Sequence, residues 1–232
     1  MEEVLMSGNS TFRLEVPHKL IEIGEKGKKP LIVYLHGFNQ NIEMFRKLTD
    51  EFRRLEAYHL FIQGPYPLYD RSREKSVDEW GRAWYLYDGS QDRFVRSLET
   101  TSEFIQEVIQ SIRPHIRASR LCLFGYSMGG YQAGYFALSR PQLVNELVVV
   151  GGRIKTEVFE EKQPGCAHLN VLALHGTEDE SVLAGPQRKS VRQLEGWGAD
   201  VTFKTVEKGH ALSSVYNIET IEWLITLGYR KA

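Results

Sequence analysis

Cysteine is scarce in this chain: Cys122 and Cys166 are the only two in 232 residues. One pair makes no disulfide framework, and no Cys-x-x-Cys spacing offers a metal or redox site. Cys122 lies in the apolar run Leu121–Phe124 and reads as a small buried hydrophobe. Neither sign of charge dominates. With 29 basic and 30 acidic residues the net charge is −1, which argues against a nucleic-acid surface. The nearest basic run, Lys26, Lys28 and Lys29 among glycines, reads as a solvated turn. Long apolar stretches are missing too: no window approaches the roughly 18 residues of a membrane span. The segment Met1–Met6 carries neither a basic nor an apolar leader region. The expectation is a cytoplasmic protein without an integral membrane segment.

A hydrophobic fraction of 42% is enough for a sizeable core, and no linker, repeat or low-complexity tract divides the chain. One domain over residues 1–232 is expected. Thr11–Val16 alternates with period two, and Leu20–Ile23 follows Pro17, so the chain should open with an antiparallel strand pair. Leu31–Leu35 is a continuous apolar run of the kind buried on both faces. Ile42–Ala57 has helical spacing, and His59–Ile62 reads as the next strand. Residues 66–92 have no clean period and are rich in aromatics, including Trp80, Trp84, Tyr85 and Tyr87. A helix is expected from Leu98 to Ile112. Strand and helix then alternate: Leu121–Phe124, Met128–Ser139, Leu147–Val150, Val171–Leu174, Gln187–Gly196, Val201–Phe203 and Ser213–Leu227. That alternation predicts an α/β domain with a mostly parallel sheet covered by helices on both faces.

The chemistry concentrates at strand ends. Gly125-Tyr126-Ser127-Met128-Gly129 fits G-x-S-x-G and falls between a buried strand and a helix, as a nucleophile elbow requires. A serine hydroxyl needs a base to take its proton during attack. His210 fits that role, following Gly209 in the loop after the last strand. The orienting acid should come from His175-Gly176-Thr177-Glu178-Asp179-Glu180, where Glu178, Asp179 and Glu180 all qualify. An oxyanion would meet the backbone N–H of Met128 and that of Phe38, in the loop His36-Gly37-Phe38-Asn39. His36 and His175 read as structural, bridging neighbouring loops. Nothing in the sequence calls for a metal or an organic cofactor.

Taken together, Leu35-His36-Gly37, Gly125–Gly130, His175–Val182 and Gly209-His210 resemble the phospholipase/carboxylesterase family of α/β hydrolases, which includes acyl-protein thioesterases. The similarity runs from about Leu31 to Leu227. It implies the α/β-hydrolase fold, with Ser127 as nucleophile, His210 as base and Asp179 as acid, because the family pattern is H-G-x-x-D-x-x-V. It supports Phe38 and Met128 as oxyanion donors. It also aligns Ala83-Trp84-Tyr85 with an aromatic pair of the family, so Trp84 and Tyr85 become candidate substrate-binding residues. The chain departs from the pattern at Asn39 (often glycine), Met128 (often glutamine) and Glu180 (often proline).

The expected function is that of a serine carboxylesterase acting on small or medium acyl esters through an acyl-enzyme. An acyl thioesterase or lysophospholipase would use the same residues. A non-catalytic binding protein of this fold is disfavoured, because degenerate copies usually lose at least one of nucleophile, base, acid and oxyanion donors. The expected partner is a small-molecule ester or thioester; the oligomeric state is not encoded legibly.

Overall fold

A computed structural model describes residues 5–8 and 10–232. Met1–Val4, part of the segment read as lacking a leader, lie outside the described residues.

The strands are β1 (His18–Glu22), β2 (Lys29–Leu35), β3 (Tyr58–Ile62), β4 (Tyr66–Pro67), β5 (Arg82–Ala83), β6 (Ala118–Tyr126), β7 (Glu146–Val150), β8 (Asn170–Gly176) and β9 (Asp200–Val206). The helices are α1 (Ile42–Leu48), α2 (Gln91–Ile112), α3 (Met128–Ser139), α4 (Ala184–Gly196) and α5 (Ser214–Thr226). Seven strands form one sheet in the order β1-β3-β2-β6-β7-β8-β9, parallel throughout except that β1 runs antiparallel to β3.

The apolar runs explain the layering. Successive side chains of a strand point to opposite faces. Leu31, Val33, Leu35, Leu123 and Val149 pack on one face with Ile105 and Ile109 of α2 and Phe136 of α3. Ile32, Tyr34, Phe124 and Val148 point the other way, against Phe45 of α1 and Tyr216 and Leu224 of α5. Both faces of the central strands are therefore buried, which is why these segments show no polar alternation.

The antiparallel N-terminal pairing is present, but its partners differ from the expected ones. Thr11–Val16 lies outside the sheet, with Phe12 and Leu14 exposed. Only Pro17 separates Val16 from β1, and a hairpin connection usually needs two residues or more. β1 pairs with β3 instead, in the register His18 to Ile62 and Glu22 to Tyr58. The helix expected over Ile42–Ala57 stops at Leu48, where the Thr49 hydroxyl donates back to the Phe45 carbonyl (2.8 Å); a 3-10 turn over Asp50–Arg54 completes it. α2 begins at Gln91, not Leu98, because Ser90 caps it by accepting the Arg93 N–H.

One topological feature positions the site. From β2 the chain steps to β3 on one side, then returns to place β6 on the other side of β2. The loops leaving β2 and β6 thus diverge at a switch point, where open α/β sheets leave a crevice for ligands. No helix among the described residues is long and apolar enough to cross a membrane.

Candidate active site

Ser127 occupies the turn between β6 and α3 with φ 52° and ψ −118°, an uncommon conformation for a residue with a side chain. Three backbone bonds brace it: its N–H donates to the Val150 carbonyl (2.8 Å), and its carbonyl accepts from the N–H groups of Gly130 (2.9 Å) and Tyr131 (3.2 Å). The flanking glycines are steric requirements. A Cβ on Gly125 would sit 2.3 Å from the Gly129 carbonyl oxygen, and one on Gly129 only 2.2 Å from that of Leu35. Backbone is packed against backbone at this turn, so no other residue type fits without displacement.

The Ser127 Oγ lies 2.8 Å from His210 Nε2, and His210 Nδ1 lies 2.8 Å from Asp179 Oδ2. Three residues far apart in sequence, from the ends of β6, β8 and β9, form one hydrogen-bonded chain. Of the three acids in the β8 loop, Asp179 alone is buried; Glu178 and Glu180 are exposed. Its second oxygen accepts the N–H groups of Ser181 and Val182, both at 2.9 Å. Burial pushes this carboxyl up, but the Val182 N–H, His210 and the Ser181 N–H together outweigh it and hold it below the ordinary aspartate value. An ionised carboxylate is thereby aimed at Nδ1, which favours the tautomer that leaves Nε2 free to accept the serine proton.

The neighbouring histidines hold loops. His36 Nε2 accepts the Gly64 N–H (3.0 Å), and its Nδ1 donates to the Gly37 carbonyl (2.7 Å), so the loops after β2 and β3 are tied together. Burial is the main reason that its pKa falls to about 4. His175 donates from Nε2 to the Val182 carbonyl (2.6 Å), closing the turn that presents Asp179. Within the elbow, Tyr126 is a contributor that sequence reasoning missed. Its hydroxyl donates to the His210 carbonyl (2.7 Å), and its ring lies 5.6 Å from the imidazole. The middle position of G-x-S-x-G gave no signal of that.

Phe38 and Met128 both border the cleft that opens at Ser127, and among the described residues neither backbone N–H donates to a protein acceptor. Asn39 has φ 60°, so the position where related sequences often have glycine does demand a left-handed backbone. Asparagine is among the few other residues that adopt it readily.

The cleft measures about 460 Å³. Tyr85, Tyr87 and Phe94 form one wall as an edge-to-face cluster, with Tyr85 4.7 Å and Tyr87 5.2 Å from the Phe94 ring. Trp84 does not belong to that wall. It is fully buried beneath, where its Nε1–H donates to the His36 carbonyl (2.7 Å) and its own carbonyl accepts from Thr101 (2.6 Å). The chain bends at both residues just after β5, and Tyr85 borders the cleft while Trp84 anchors the segment to the body. Arg153, Lys155 and Tyr131 also border the cleft and were not singled out from sequence. Gly151-Gly152 directly after an apolar strand was the available signal for the first two.

The sheet order and the strand–turn–helix around Ser127 are those of an α/β hydrolase. The chain belongs to the phospholipase/carboxylesterase family, whose sequence profile matches residues 16–225. No curated protein matches it significantly in sequence. Solved structures do match in fold. A Bacillus cereus carboxylesterase superimposes with a TM-score of 0.69 at 18% identity, covering 91% of this chain and 94% of that one. A Mesorhizobium loti carboxylesterase gives 0.71 at 20% identity, covering 90% and 94%. Zea mays acyl-protein thioesterase 2 gives 0.70 at 20% identity, covering 90% and 98%.

Proposed function

We propose that the protein is a serine carboxylesterase cleaving small or medium acyl esters through an acyl-enzyme. The carrying observation is the continuous chain from Ser127 Oγ through His210 to Asp179, with 2.8 Å at each link, at the floor of a cleft. Ser127 attacks the ester carbonyl as its proton passes to His210 Nε2, and Asp179 stabilises the imidazolium that results. Charge then builds on the carbonyl oxygen. The N–H groups of Met128, at the N-terminus of α3, and Phe38 are free to receive it, each worth about 2.7–4 kcal/mol in comparable sites. Collapse expels the alcohol, protonated by His210. Water, activated by the same imidazole, attacks the acyl-serine and regenerates the free hydroxyl.

The cleft volume lies in the lower part of the range for small-ligand sites, which supports a small or medium acyl group. The aromatic wall of Tyr85, Tyr87 and Phe94 supplies its apolar lining. The same geometry serves thioesters, so the leaving atom is settled by assay.

The test is labelling with a fluorophosphonate, followed by rates on a series of p-nitrophenyl esters of increasing length. The adduct is expected on Ser127, and Ser127→Ala should abolish both labelling and turnover while remaining folded. An adduct on another serine, or turnover surviving in Ser127→Ala, would overturn the assignment.

A further inference from the structure

The segment leaving β7 runs under the elbow. A Cβ on Gly152 would lie 2.9 Å from the Ser127 carbonyl oxygen, and one on Gly151 would lie 3.5 Å from His210 Nδ1. The next residues, Arg153 and Lys155, both border the cleft beside Ser127. Between them Ile154 is fully buried, and its N–H donates to Gln187 Oε1 (2.8 Å). That anchor fixes the segment, so the two cations sit on a rigid support.

Their partners do not balance them. Glu157 Oε1 accepts from Arg153 Nη2 (2.9 Å) and stands 2.9 Å from Lys155 Nζ. Burial pushes Glu157 up, but Lys155 and its neighbours win and hold it ionised. One carboxylate therefore serves two cations. Lys155 takes its other contacts from neutral groups, the Gln91 Oε1 (3.0 Å) and the Phe94 ring face (5.4 Å to its centroid). Lys155 is only 7% exposed. Keeping an ammonium at that depth is costly unless a charge compensates it. The Arg153 Nε is likewise buried, and has no acceptor among the described residues. A purely structural ion cluster would meet its donors and close its charge. This one has a positive charge and an N–H left over, and both residues border the cleft.

We propose that Arg153 and Lys155 form an anion subsite, so that the favoured esters carry a carboxylate or phosphate on one arm. The inference rests on the esterase reading above. The Arg153 side chain is 29% exposed where it borders the cleft, and of its two terminal nitrogens only Nη2 is held by the protein, so the guanidinium can offer a carboxylate or phosphate charge-assisted donors there. The aromatic wall takes the apolar spacer between that anion and the scissile carbonyl.

The test compares kcat/KM within two matched pairs. The first pair, the p-nitrophenyl monoester of adipic acid against p-nitrophenyl hexanoate, puts the anion on the acyl arm. The second pair, the hexanoate esters of p-hydroxybenzoic acid and of its methyl ester, puts it on the alcohol arm. The wild-type protein should prefer the anionic member of one pair by roughly tenfold or more, the size of a charge-assisted contact. Arg153→Met should erase that preference. Arg153→Lys, keeping charge but losing the guanidinium, should retain part of it, and Glu157→Gln should enlarge it by leaving both cations unneutralised. No anionic preference in either pair, or a preference untouched by both Arg153→Met and Glu157→Gln, overturns the subsite. If the neutral esters are not turned over in a Ser127-dependent way, the esterase reading itself fails; that outcome is separate, because it appears in the uncharged substrates.

Discussion

The most quantitative consequence of the structure concerns acid. His36 is buried, accepts the Gly64 N–H and has its pKa lowered from 6.5 to about 4, chiefly by desolvation. In the unfolded chain the imidazole returns to its ordinary value. Because the folded value is depressed, the stability tied to the neutral ring is fully present above about pH 6.5, declines as pH falls below it, and is gone near the folded pKa of about 4. Between about pH 7.5 and about pH 5, binding of one proton by the unfolded state alone removes about 2 kcal/mol. His59, lowered to about 4 by burial in the same way, adds a loss of the same sign. The perturbation is His36→Asn. At about pH 7.5 it should cost roughly 1–3 kcal/mol, because the buried Gly64 N–H loses its acceptor. It also removes one titrating group, so the gap to wild type should shrink by about 2 kcal/mol on moving to about pH 5. Urea unfolding followed by tryptophan fluorescence at both pH values measures each quantity. A gap of constant size would refute the reasoning, since it would mean that the ring takes up a proton equally in both states.

Other outcomes follow from the site. Asp179→Asn should lower kcat by about 10³–10⁴, because the amide no longer selects the tautomer that accepts from Ser127; Glu178→Gln and Glu180→Gln, both at exposed side chains, should leave it within a few fold. Equal losses in all three would reassign the acid. Trp84→Ala should destabilise the protein by about 3–5 kcal/mol and leave the ratio of rates on short and long acyl esters alone, whereas Tyr85→Ala should shift that ratio at smaller cost in stability. Thermal melts and the ester series separate the two; the opposite pattern would restore Trp84 to the pocket wall.

The central sheet was legible because strands buried on both faces must be continuously apolar: Leu31–Leu35, Leu121–Phe124 and Leu147–Val150 all lie within observed strands. α3 was read to the residue, since an elbow fixes its start and Pro141 follows its end. The edges were less legible. Alternation in Thr11–Val16 specified a strand without specifying a partner, and the short connection at Pro17 excluded the nearest one. In the site, the loops carrying Ser127, Asp179 and His210 could be read because chain order and turn glycines constrain them. Trp84 and Tyr85 could not be separated by composition: two adjacent aromatics look equivalent until the backbone sends one in and one out. Arg153 and Lys155 were invisible for a different reason. Their significance is a mismatch between charges and partners, and partners are known only once Glu157, Gln91 and Phe94 are placed around them.

The backbone at Ser127 carries a consequence for how the chain can vary. A serine at φ 52° and ψ −118° sits where side chains are disfavoured, at a cost of order 1–3 kcal/mol. Against a typical total stability of about 5–15 kcal/mol, that one residue withholds a sizeable share of the margin. Glycine would relieve it. At this one position, therefore, backbone stability and the presence of a hydroxyl are opposed, and gaining the first means giving up the second.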